Sequence, residues 1–305
     1  MAEALSPLSF DTRFRTETGV AVDILPGVQR ITAPNGGPFT FTGTNSFILG
    51  HNRVAVLDPG PNDSGHLEAL LRAIGGRKLE AIILTHTHID HSALAPRLKA
   101  ATGAPLWFAG RHRLSRKRRP FEINLVARGS DWSIRPDRVI ADGERIEAGD
   151  LGLIGMATPG HCANHMAFGI EGTDWLLTGD HIMGWNSTLV PVPDGSMADY
   201  LHSLEKAIAA PYAHYLPAHG GPIAEGPAFA RALLQHRLLR NRQIVDAVNK
   251  GATTIGALMK VVYPVLPPGV RIGAWMTLTA HADYLGERGE IRVKRGLFGW
   301  RISHI

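Results

Sequence analysis

The feature that most constrains this chain is the run Thr85-His86-Thr87-His88-Ile89-Asp90-His91, which places four potential metal ligands within six residues. The apolar residues 79–84 before it predict a buried strand, and residues 92–98 after it predict the start of a helix. Ligands on a strand-to-helix turn can converge on one point, whereas successive residues of a flat strand point to opposite faces. The run therefore predicts a metal site at the end of a strand.

Three further candidate ligands lie later in the chain, where apolar segments that predict strands come to an end. They are His161 after residues 151–157, Asp180 at the end of residues 175–180, and His219 after residues 215–218. Zinc takes imidazole nitrogen and carboxylate oxygen as ligands and is usually four-coordinate. Five histidines and two aspartates are too many for one ion and suit two, which can share a hydroxide nucleophile and polarise a substrate oxygen.

This set of residues resembles that of the metallo-β-lactamase-fold hydrolases. The resemblance implies ligands for two zinc ions, with iron or manganese as alternatives. Those of the first ion are His86, His88 and His161, those of the second are Asp90, His91 and His219, and Asp180 bridges the pair. Residues 54–60 match the family's early strand, so Asp58 is expected to accept a hydrogen bond from a ligand histidine. His165 is expected to contact the ligand residues without binding a metal ion itself. An aspartate at the bridging position argues against a dedicated antibiotic-degrading enzyme.

Within that superfamily the chain is similar to the lactamase-beta-2-like group, which carries a C-terminal winged-helix domain. The matching segments are residues 158–166, 179–185 and 193–204. The fold implied is an α/β (α+β) αββα sandwich followed by a small winged helix. Members of this fold cleave thioesters, lactones, phosphodiesters and RNA, so the resemblance leaves the substrate open.

The hydrophobic pattern changes near residue 224, which predicts a catalytic domain over 1–223 and a winged-helix domain over 224–305. Apolar residues at helical spacing predict a long first helix, then a second one between Thr254 and Pro264, and a third over 272–285. The remaining residues alternate as in a hairpin around a Lys294-Arg295-Gly296 turn, with Phe298 in the second strand.

The composition of the chain indicates the cellular compartment in which the protein is expected to lie. The 305 residues include a single cysteine, Cys162, which excludes an intrachain disulfide and suits a reducing compartment. Residues 1–14 lack the pattern of a secretory signal, and no apolar run approaches the roughly 20 residues of a membrane span. The expectation is a cytoplasmic protein with no membrane association.

Positive charge is concentrated in two places. Residues 225–305 carry 12 Lys and Arg against 5 Asp and Glu, and residues 111–119 place six cationic side chains among nine. The second cluster is either a solvated face or a grip for RNA phosphates. The third tail helix offers only Arg271 and Arg288 near its ends, so sequence-specific DNA binding is not expected. The tail is expected to pack on the catalytic domain, to support a homodimer or to wall the substrate cleft.

The loop after Asp180 provides candidates for the substrate pocket, namely Trp185, Asn186, Ser187 and Thr188. For Trp185 the alternative is packing beneath the helix that carries Tyr200. Cys162 neighbours a candidate ligand, but adjacent residues of extended backbone face opposite ways, so it is not expected to bind metal or act as a nucleophile.

The leading functional hypothesis is hydrolysis of a small-molecule thioester, lactone or related ester by a metal-bound hydroxide. Asp90 and Asp180 are the expected catalytic carboxylates, with Asp90 orienting the hydroxide and taking up its proton. The first alternative is a metal-dependent endoribonuclease or phosphodiesterase that uses the same ions. A di-iron redox protein is a further alternative, but relatives of that kind replace one histidine of the run, and His88 is retained here. A binding module with a dead site is disfavoured because every expected ligand is present.

Overall fold

Two β-sheets lie face to face at the centre of the protein, with helices on both outer faces. The computed structural model describes residues 8–266, 268–296 and 299–305. The first sheet contains, in spatial order, β1 (Ala21–Leu25), β2 (Val28–Thr32), β3 (Asn45–Leu49), β4 (Arg53–Leu57), β5 (Lys78–Ile83), β6 (Leu106–Phe108) and β7 (Arg138–Val139). The second sheet contains, in spatial order, β8 (Arg145–Ala148), β9 (Leu151–Ala157), β10 (Met166–Ile170), β11 (Trp175–Gly179) and β12 (His214–Pro217). The predicted αββα arrangement is confirmed.

The helices form the outer layers and the C-terminal part of the chain. They are α1 (Ser64–Ile74), α2 (Ile89–Ser92), α3 (Ala95–Thr102), α4 (Met197–Ala209), α5 (Gly226–Asn249), α6 (Ile255–Val262) and α7 (Arg271–Glu287). Short 3₁₀ turns span Ala127–Gly129 and Pro268–Val270, and a two-stranded sheet of β13 (Arg292–Gly296) and β14 (Gly299–Ser303) follows α7. No helix within the described residues combines the length and hydrophobicity needed to cross a lipid bilayer.

Strand β4 shows how the sequence pattern builds the layers. Val54 and Val56 pack outward against the α1 and α3 layer, whereas Ala55 and Leu57 pack inward against the second sheet. Both sets are fully buried because the sheet is covered on both faces, which explains why the strand is continuously apolar. On the other side of the molecule, α4 and α5 cover the second sheet around Tyr200.

Parallel pairing brings the ends of successive strands to one edge of the sandwich. Strands β4 and β5 are parallel, so Asp58 after β4 and the ligand run after β5 emerge side by side. Strands β11 and β12 are also parallel, which does the same for Asp180 and His219. This edge of the two sheets is where the candidate ligands meet.

The C-terminal tail, residues 224–305, packs directly on the catalytic part. Helix α5 lies against α4, and Ala230, Leu233 and Ala280 of the tail belong to the same apolar cluster as Tyr200. The tail has a second cluster of its own around Leu258 and Leu285. Three helices and a two-stranded sheet are the elements that the sequence predicts for this region. The winged-helix assignment and the division at residue 224 stay predictions.

Two local predictions differ from the structure. The residues Lys294-Arg295-Gly296 were expected to form a turn, but they lie within β13 and pair with β14. That prediction is wrong because the alternation of exposed and half-buried side chains continues through this segment, with Val293 and Arg295 on the covered face. The predicted Phe298 lies outside the described residues. The helix expected over 92–98 is divided into α2 and α3.

A buried ion-pair network joins the basic segment of residues 111–119 to the tail. Asp283 of α7 and Glu122 are each 5% exposed, and both accept from Arg116 at 2.7 Å. Arg295 of β13 also binds both carboxylates, Glu122 at 2.9 Å and Asp283 at 2.7 Å. Arg119 also contacts Asp283. Two arginines of the segment, Arg116 and Arg119, are therefore neutralised by carboxylates, among them Asp283 of the tail.

Replacing Asp283 with alanine should destabilise the protein by about 3–5 kcal/mol, because three arginines would keep only one buried carboxylate. Urea unfolding at neutral pH measures this loss. The control is Glu287→Ala, since Glu287 is 53% exposed and pairs with Arg119 alone in the described residues. The free energy of unfolding of the Glu287→Ala variant should fall by less than about 1 kcal/mol. Equal losses in the two variants would show that the network does not hold the tail.

Candidate metal centre

Three buried histidines converge on one point at the shared edge. The Nε2 atoms of His86 and His161 lie 3.0 and 2.8 Å from Nδ1 of His88. Nitrogens that bind one tetrahedral zinc ion at 2.0–2.1 Å are separated by roughly 3.3 Å. These three nitrogens therefore form a cluster that a small adjustment of the rings around one ion would satisfy.

Four atoms of a second cluster lie beside the first. Nε2 of His91 is 3.6 Å from Oδ2 of Asp90 and 3.5 Å from Oδ1 of Asp180. Nε2 of His219 is 3.4 Å from Oδ2 of Asp90 and 3.2 Å from Oδ1 of Asp180. Separations of this size are those of ligand atoms arranged around a common ion.

Asp180 faces both clusters with different oxygens. Its Oδ1 is directed at His91 and His219, whereas its Oδ2 lies 3.6 Å from Nε2 of His161. Gly179 before it has φ +53°, and a Cβ there would lie 2.6 Å from Nε2 of His165. Glycine thus permits the turn that places this carboxylate between the clusters.

The second cluster contains buried polar atoms that lack a hydrogen-bond partner in the described part of the chain. These atoms are Nε2 of His91, Nε2 of His219 and Oδ1 of Asp180. Leaving such groups unpaired is costly, so their common direction indicates a missing partner. Imidazole nitrogen and carboxylate oxygen together are the donor set of a divalent cation such as zinc. The residues fit the predicted metal ions.

Each of the five histidines is held from behind by its other ring nitrogen. The contacts are His86 Nδ1 to Thr85 Oγ1 (3.0 Å), His88 Nε2 to Asp194 Oδ2 (3.1 Å), His91 Nδ1 to Asp58 Oδ2 (2.9 Å), His161 Nδ1 to the Leu189 carbonyl (2.7 Å) and His219 Nδ1 to the Gly43 carbonyl (3.2 Å). Such contacts fix the tautomer and the plane of a ligand ring. All five rings are therefore oriented in advance.

Asp58 lies where the sequence placed it, behind His91. Besides accepting from that imidazole, it accepts from the backbone N–H of Thr85 at 2.8 Å and from its hydroxyl at 2.7 Å. His165 supports the other side of the site. Its Nε2 accepts from the backbone N–H of Asp180 at 3.0 Å, so its Nδ1 carries the proton and donates to Thr158 at 2.8 Å.

Asp194 and His112 are two buried members of the site that the sequence reasoning did not identify. Asp194 accepts from His88 with one oxygen and from Nε2 of His112 at 2.8 Å with the other. His112 in turn contacts the hydroxyl of Thr87. His112 was not identified because the cationic residues around it indicated a charged surface. Asp194 was not identified because it is 106 residues from its partner His88. The Pro-Asp-Gly sequence at 193–195 was the feature of the sequence that could have indicated Asp194.

The two clusters have opposite electrostatic characters. Burial lowers the pKa of His161 to about 4 and that of His86 well below its usual value, so these imidazoles are neutral. For His219 burial also acts to lower the pKa, but Asp180 and Asp90 outweigh it and raise the pKa to about 10. The pKa of His91 is raised likewise by Asp90 and Asp180. In the metal-free protein, protons on these two imidazoles supply the positive charge that the carboxylates require.

The centre opens into a cavity of about 710 Å³. Its floor includes His88, Asp90, His161 and Asp180, and most of its walls are apolar. The tail contributes one wall through α5, the segment after α6 and the start of α7. The expectation that the tail walls the cleft thus agrees with the geometry.

Three of the four expected pocket residues line this cavity, namely Trp185, Asn186 and Ser187. The ring of Trp185 stacks on Phe41 with centroids 4.9 Å apart. Thr188 is the exception, because it is buried and its hydroxyl donates to the backbone carbonyls of Asp180 and His181. It braces the loop from behind and is not part of the cavity wall.

Comparison with known families gives a match to the profile described as the metallo-beta-lactamase superfamily over residues 39–219. The matched region is more than half of the chain and contains all seven candidate ligands.

Individual relatives are more distant. The Lactamase-like protein adaB of Aspergillus niger is 26% identical over 236 residues, covering 75% of this chain and 66% of that protein. The Beta-lactamase-like protein 2 homolog of Caenorhabditis elegans is 28% identical over 252 residues, covering 81% and 80%. The Atrochrysone carboxyl ACP thioesterase of Aspergillus chevalieri is 26% identical over 265 residues, covering 81% and 76%. The chain spans just under two thirds of the length of adaB.

Solved structures share the fold over nearly the whole chain. The metallo-beta-lactamase family protein TTHA1429 from Thermus thermophilus superposes with a TM-score of 0.75 at 26% identity, covering 93% of this chain and all of that one. A beta-lactamase domain protein from Burkholderia ambifaria has a TM-score of 0.77 at 20% identity and covers 97% of each chain. The similarity in fold therefore extends into the C-terminal tail.

Replacing Asp194 with asparagine should weaken metal binding by roughly 10- to 100-fold. The amide offers one acceptor oxygen, whereas His88 and His112 now each face their own carboxylate oxygen. Competition with a chromophoric chelator measures the affinity. Asp246→Asn is the matched control, because Asp246 is exposed on α5 and should bind metal like the parent protein. Unchanged affinity of the Asp194 variant would contradict the role given to this carboxylate.

Zinc binding at pH 7 should release at least about two protons per chain, since the ion displaces those held by His91 and His219. Calorimetric titrations in buffers with different ionisation enthalpies give this number from the slope of heat against buffer enthalpy. A slope near zero would mean that both imidazoles are already neutral in the metal-free protein.

Proposed function

The chain belongs to the metallo-beta-lactamase superfamily, and from that premise we propose that it is a hydrolase that binds two zinc ions and cleaves a small-molecule thioester. The family predicted from the ligand run is thereby confirmed. Family membership and the thioesterase names of relatives support a hydrolase. The identity and number of the ions, the ligand assignments and the substrate are part of the proposal.

One observation carries the proposal, the convergence of seven buried or half-buried side chains, of which the five imidazoles are oriented by contacts behind them. His86, His88 and His161 would hold one ion, and Asp90, His91 and His219 the other. Asp180 would bridge, because its two oxygens face different clusters. Zinc suits this mixture of imidazole and carboxylate, and iron and manganese use the same donors.

When bound, two such ions would supply an activated water near neutral pH and polarise the scissile carbonyl. The protein's own contribution is to orient the reacting groups and to exclude bulk water. Asp90 lines the cavity and is 27% exposed at its side chain, so it can reach the attacking water and accept its proton. Asp180, 9% exposed, is more enclosed and serves to fix the distance between the two clusters.

The cavity supports as substrate a thioester whose acyl part is largely hydrocarbon. Its walls include Phe39, Leu125, Met183 and Tyr263, which suit an acyl chain or an aromatic ring. Relatives named Atrochrysone carboxyl ACP thioesterase, from Aspergillus chevalieri and Aspergillus fumigatus, act on a thioester by name. RNA is less well suited to this site, because Arg116 and Arg119 of the basic segment are bound to carboxylates near the tail.

The test is elemental analysis combined with an assay panel of a thioester, a lactone, bis-p-nitrophenyl phosphate and single-stranded RNA. Near two zinc ions per chain with thioester turnover is the expected result. Asp180→Ala should lower kcat/KM by more than about 100-fold and reduce bound metal, since losing an outer partner of a ligand alone costs about 10- to 100-fold.

Cys162→Ala is the control, because Cys162 is buried beside His161 but its thiol contacts Asn164. Both its metal content and its activity should match those of the parent protein. Full activity of the Asp180 variant would exclude the proposed mechanism, and cleavage confined to RNA or the phosphodiester would replace the thioester as substrate.

A further inference from the structure

The cavity wall contains a buried arginine with no acidic partner among the described residues. Arg237 of α5 is 1% exposed and lines the same cavity as Asp90 and Asp180. A guanidinium is always ionised and has five N–H donors. Burying it without a counter-charge costs free energy, so an uncompensated arginine in a binding cavity indicates a ligand that provides the charge.

The contacts of Arg237 leave most of its donors unused. Its Nη2 donates to the backbone carbonyl of Thr188, and its guanidinium lies over the ring of Tyr200 with 5.1 Å to the centroid. Its Nε is buried and has no hydrogen-bond partner in the described part of the chain. A neutral carbonyl and an aromatic face do not neutralise the charge.

The surroundings of Arg237 are cationic or neutral. Arg240, one turn further along α5, lies over the ring of Tyr263, and its Nε is also buried without a described partner. Burial, with the charges of Arg237 and Arg240, lowers the pKa of His236 to about 4 and that of His281 well below its usual value. These histidines are therefore neutral, and the group that balances Arg237 has to come from outside.

The position of Arg237 connects it to the metal centre. Thr188 accepts from Arg237 with its carbonyl and donates with its hydroxyl to the carbonyl of Asp180 at 2.8 Å. The next residue, Leu189, holds His161 through its carbonyl. A ligand bound to Arg237 would thus lie in the same cavity as the scissile bond.

We infer that Arg237 binds a free carboxylate on the acyl part of the substrate. This inference rests on the proposed function and narrows it to thioesters of acids that carry a second, ionised carboxyl group. A single guanidinium balances one negative charge and matches the two oxygens of a carboxylate. A phosphate dianion would leave a charge uncompensated between apolar walls such as Phe39 and Met276.

The experiment compares N-acetylcysteamine thioesters of dicarboxylic acids of four to eight carbons with thioesters of the matching monoamides. The thiol part carries no charge, so any preference reports on the acyl end. For the best chain length, kcat/KM should favour the carboxylate by roughly 10- to 100-fold, the effect of a charge-assisted contact. In Arg237→Met this ratio should fall to about one, and the ratio reports on recognition even where losing the contact to Thr188 lowers the absolute activity toward both thioesters.

Two further variants separate recognition from structural support. Arg240→Met, which removes the neighbouring arginine outside the cavity wall, should keep the preference of the parent protein. Arg237→Lys retains the charge without the planar fork and should give an intermediate ratio. If Arg237→Met lowers activity toward both thioesters equally, Arg237 only braces Thr188 and the inference is wrong. It is equally wrong if the parent protein has no preference.

A binding measurement makes the result independent of catalysis. Calorimetry of the metal-free protein with the free dicarboxylic acid should show at least tenfold weaker binding to Arg237→Met than to the parent protein. Equal affinities would overturn the inference even if thioesters are hydrolysed. Loss of binding in the variant together with no thioester turnover in the zinc-loaded parent would instead contradict the proposed function and leave the carboxylate site in place.

Discussion

The interaction on which the rest of the structure depends is the close approach of two ionised carboxylates, the half-buried Asp90 and the buried Asp180, to five imidazoles. Ionised carboxylates are kept away from water only where positive charge compensates them. In the metal-free protein this charge is a pair of protons on His91 and His219. A divalent cation would replace those protons and bind atoms that now have no described hydrogen-bond partner. The two-sheet fold serves this requirement, because it brings the ends of parallel strands to one edge and surrounds them with rings held from behind.

The tail encloses the edge that holds the candidate ligands and makes it part of a cavity. The arginine network around Asp283 ties residues 116–122 to α7, and this segment continues into Leu125 and Val126 of the cavity wall. Helices α5 and α7 close the opposite side and introduce Arg237. The arginines of the tail and of the basic segment thus have different surroundings, since those around Asp283 pair with carboxylates whereas Arg237 lines the cavity.

Local features could be predicted from the sequence because they depend on neighbouring residues. The ligand run lies on one strand-to-helix turn, and the helix after Thr254 begins where its cap predicts, with the Thr254 hydroxyl accepting from Ala257. The hairpin of β13 and β14 was expected, but its turn was misplaced because the Lys-Arg-Gly sequence resembles a turn, whereas Arg295 is held in the strand by ion pairs with Glu122 and Asp283. The basic segment was interpreted only as a surface, since the carboxylates that pair with it are up to 168 residues away.

By itself the sequence determined the family, and it indicated the seven candidate ligands, the strands that precede them and the elements of the C-terminal tail. Each of these follows from residue type and short-range spacing. Only the tertiary structure decided which groups orient the ligands and what shapes the cavity. Asp194 meets His88 across 106 residues, and Arg237 reaches Thr188 across 49. Contacts of this separation leave no periodic or local trace in a single chain, because they arise only when distant segments pack against the same edge.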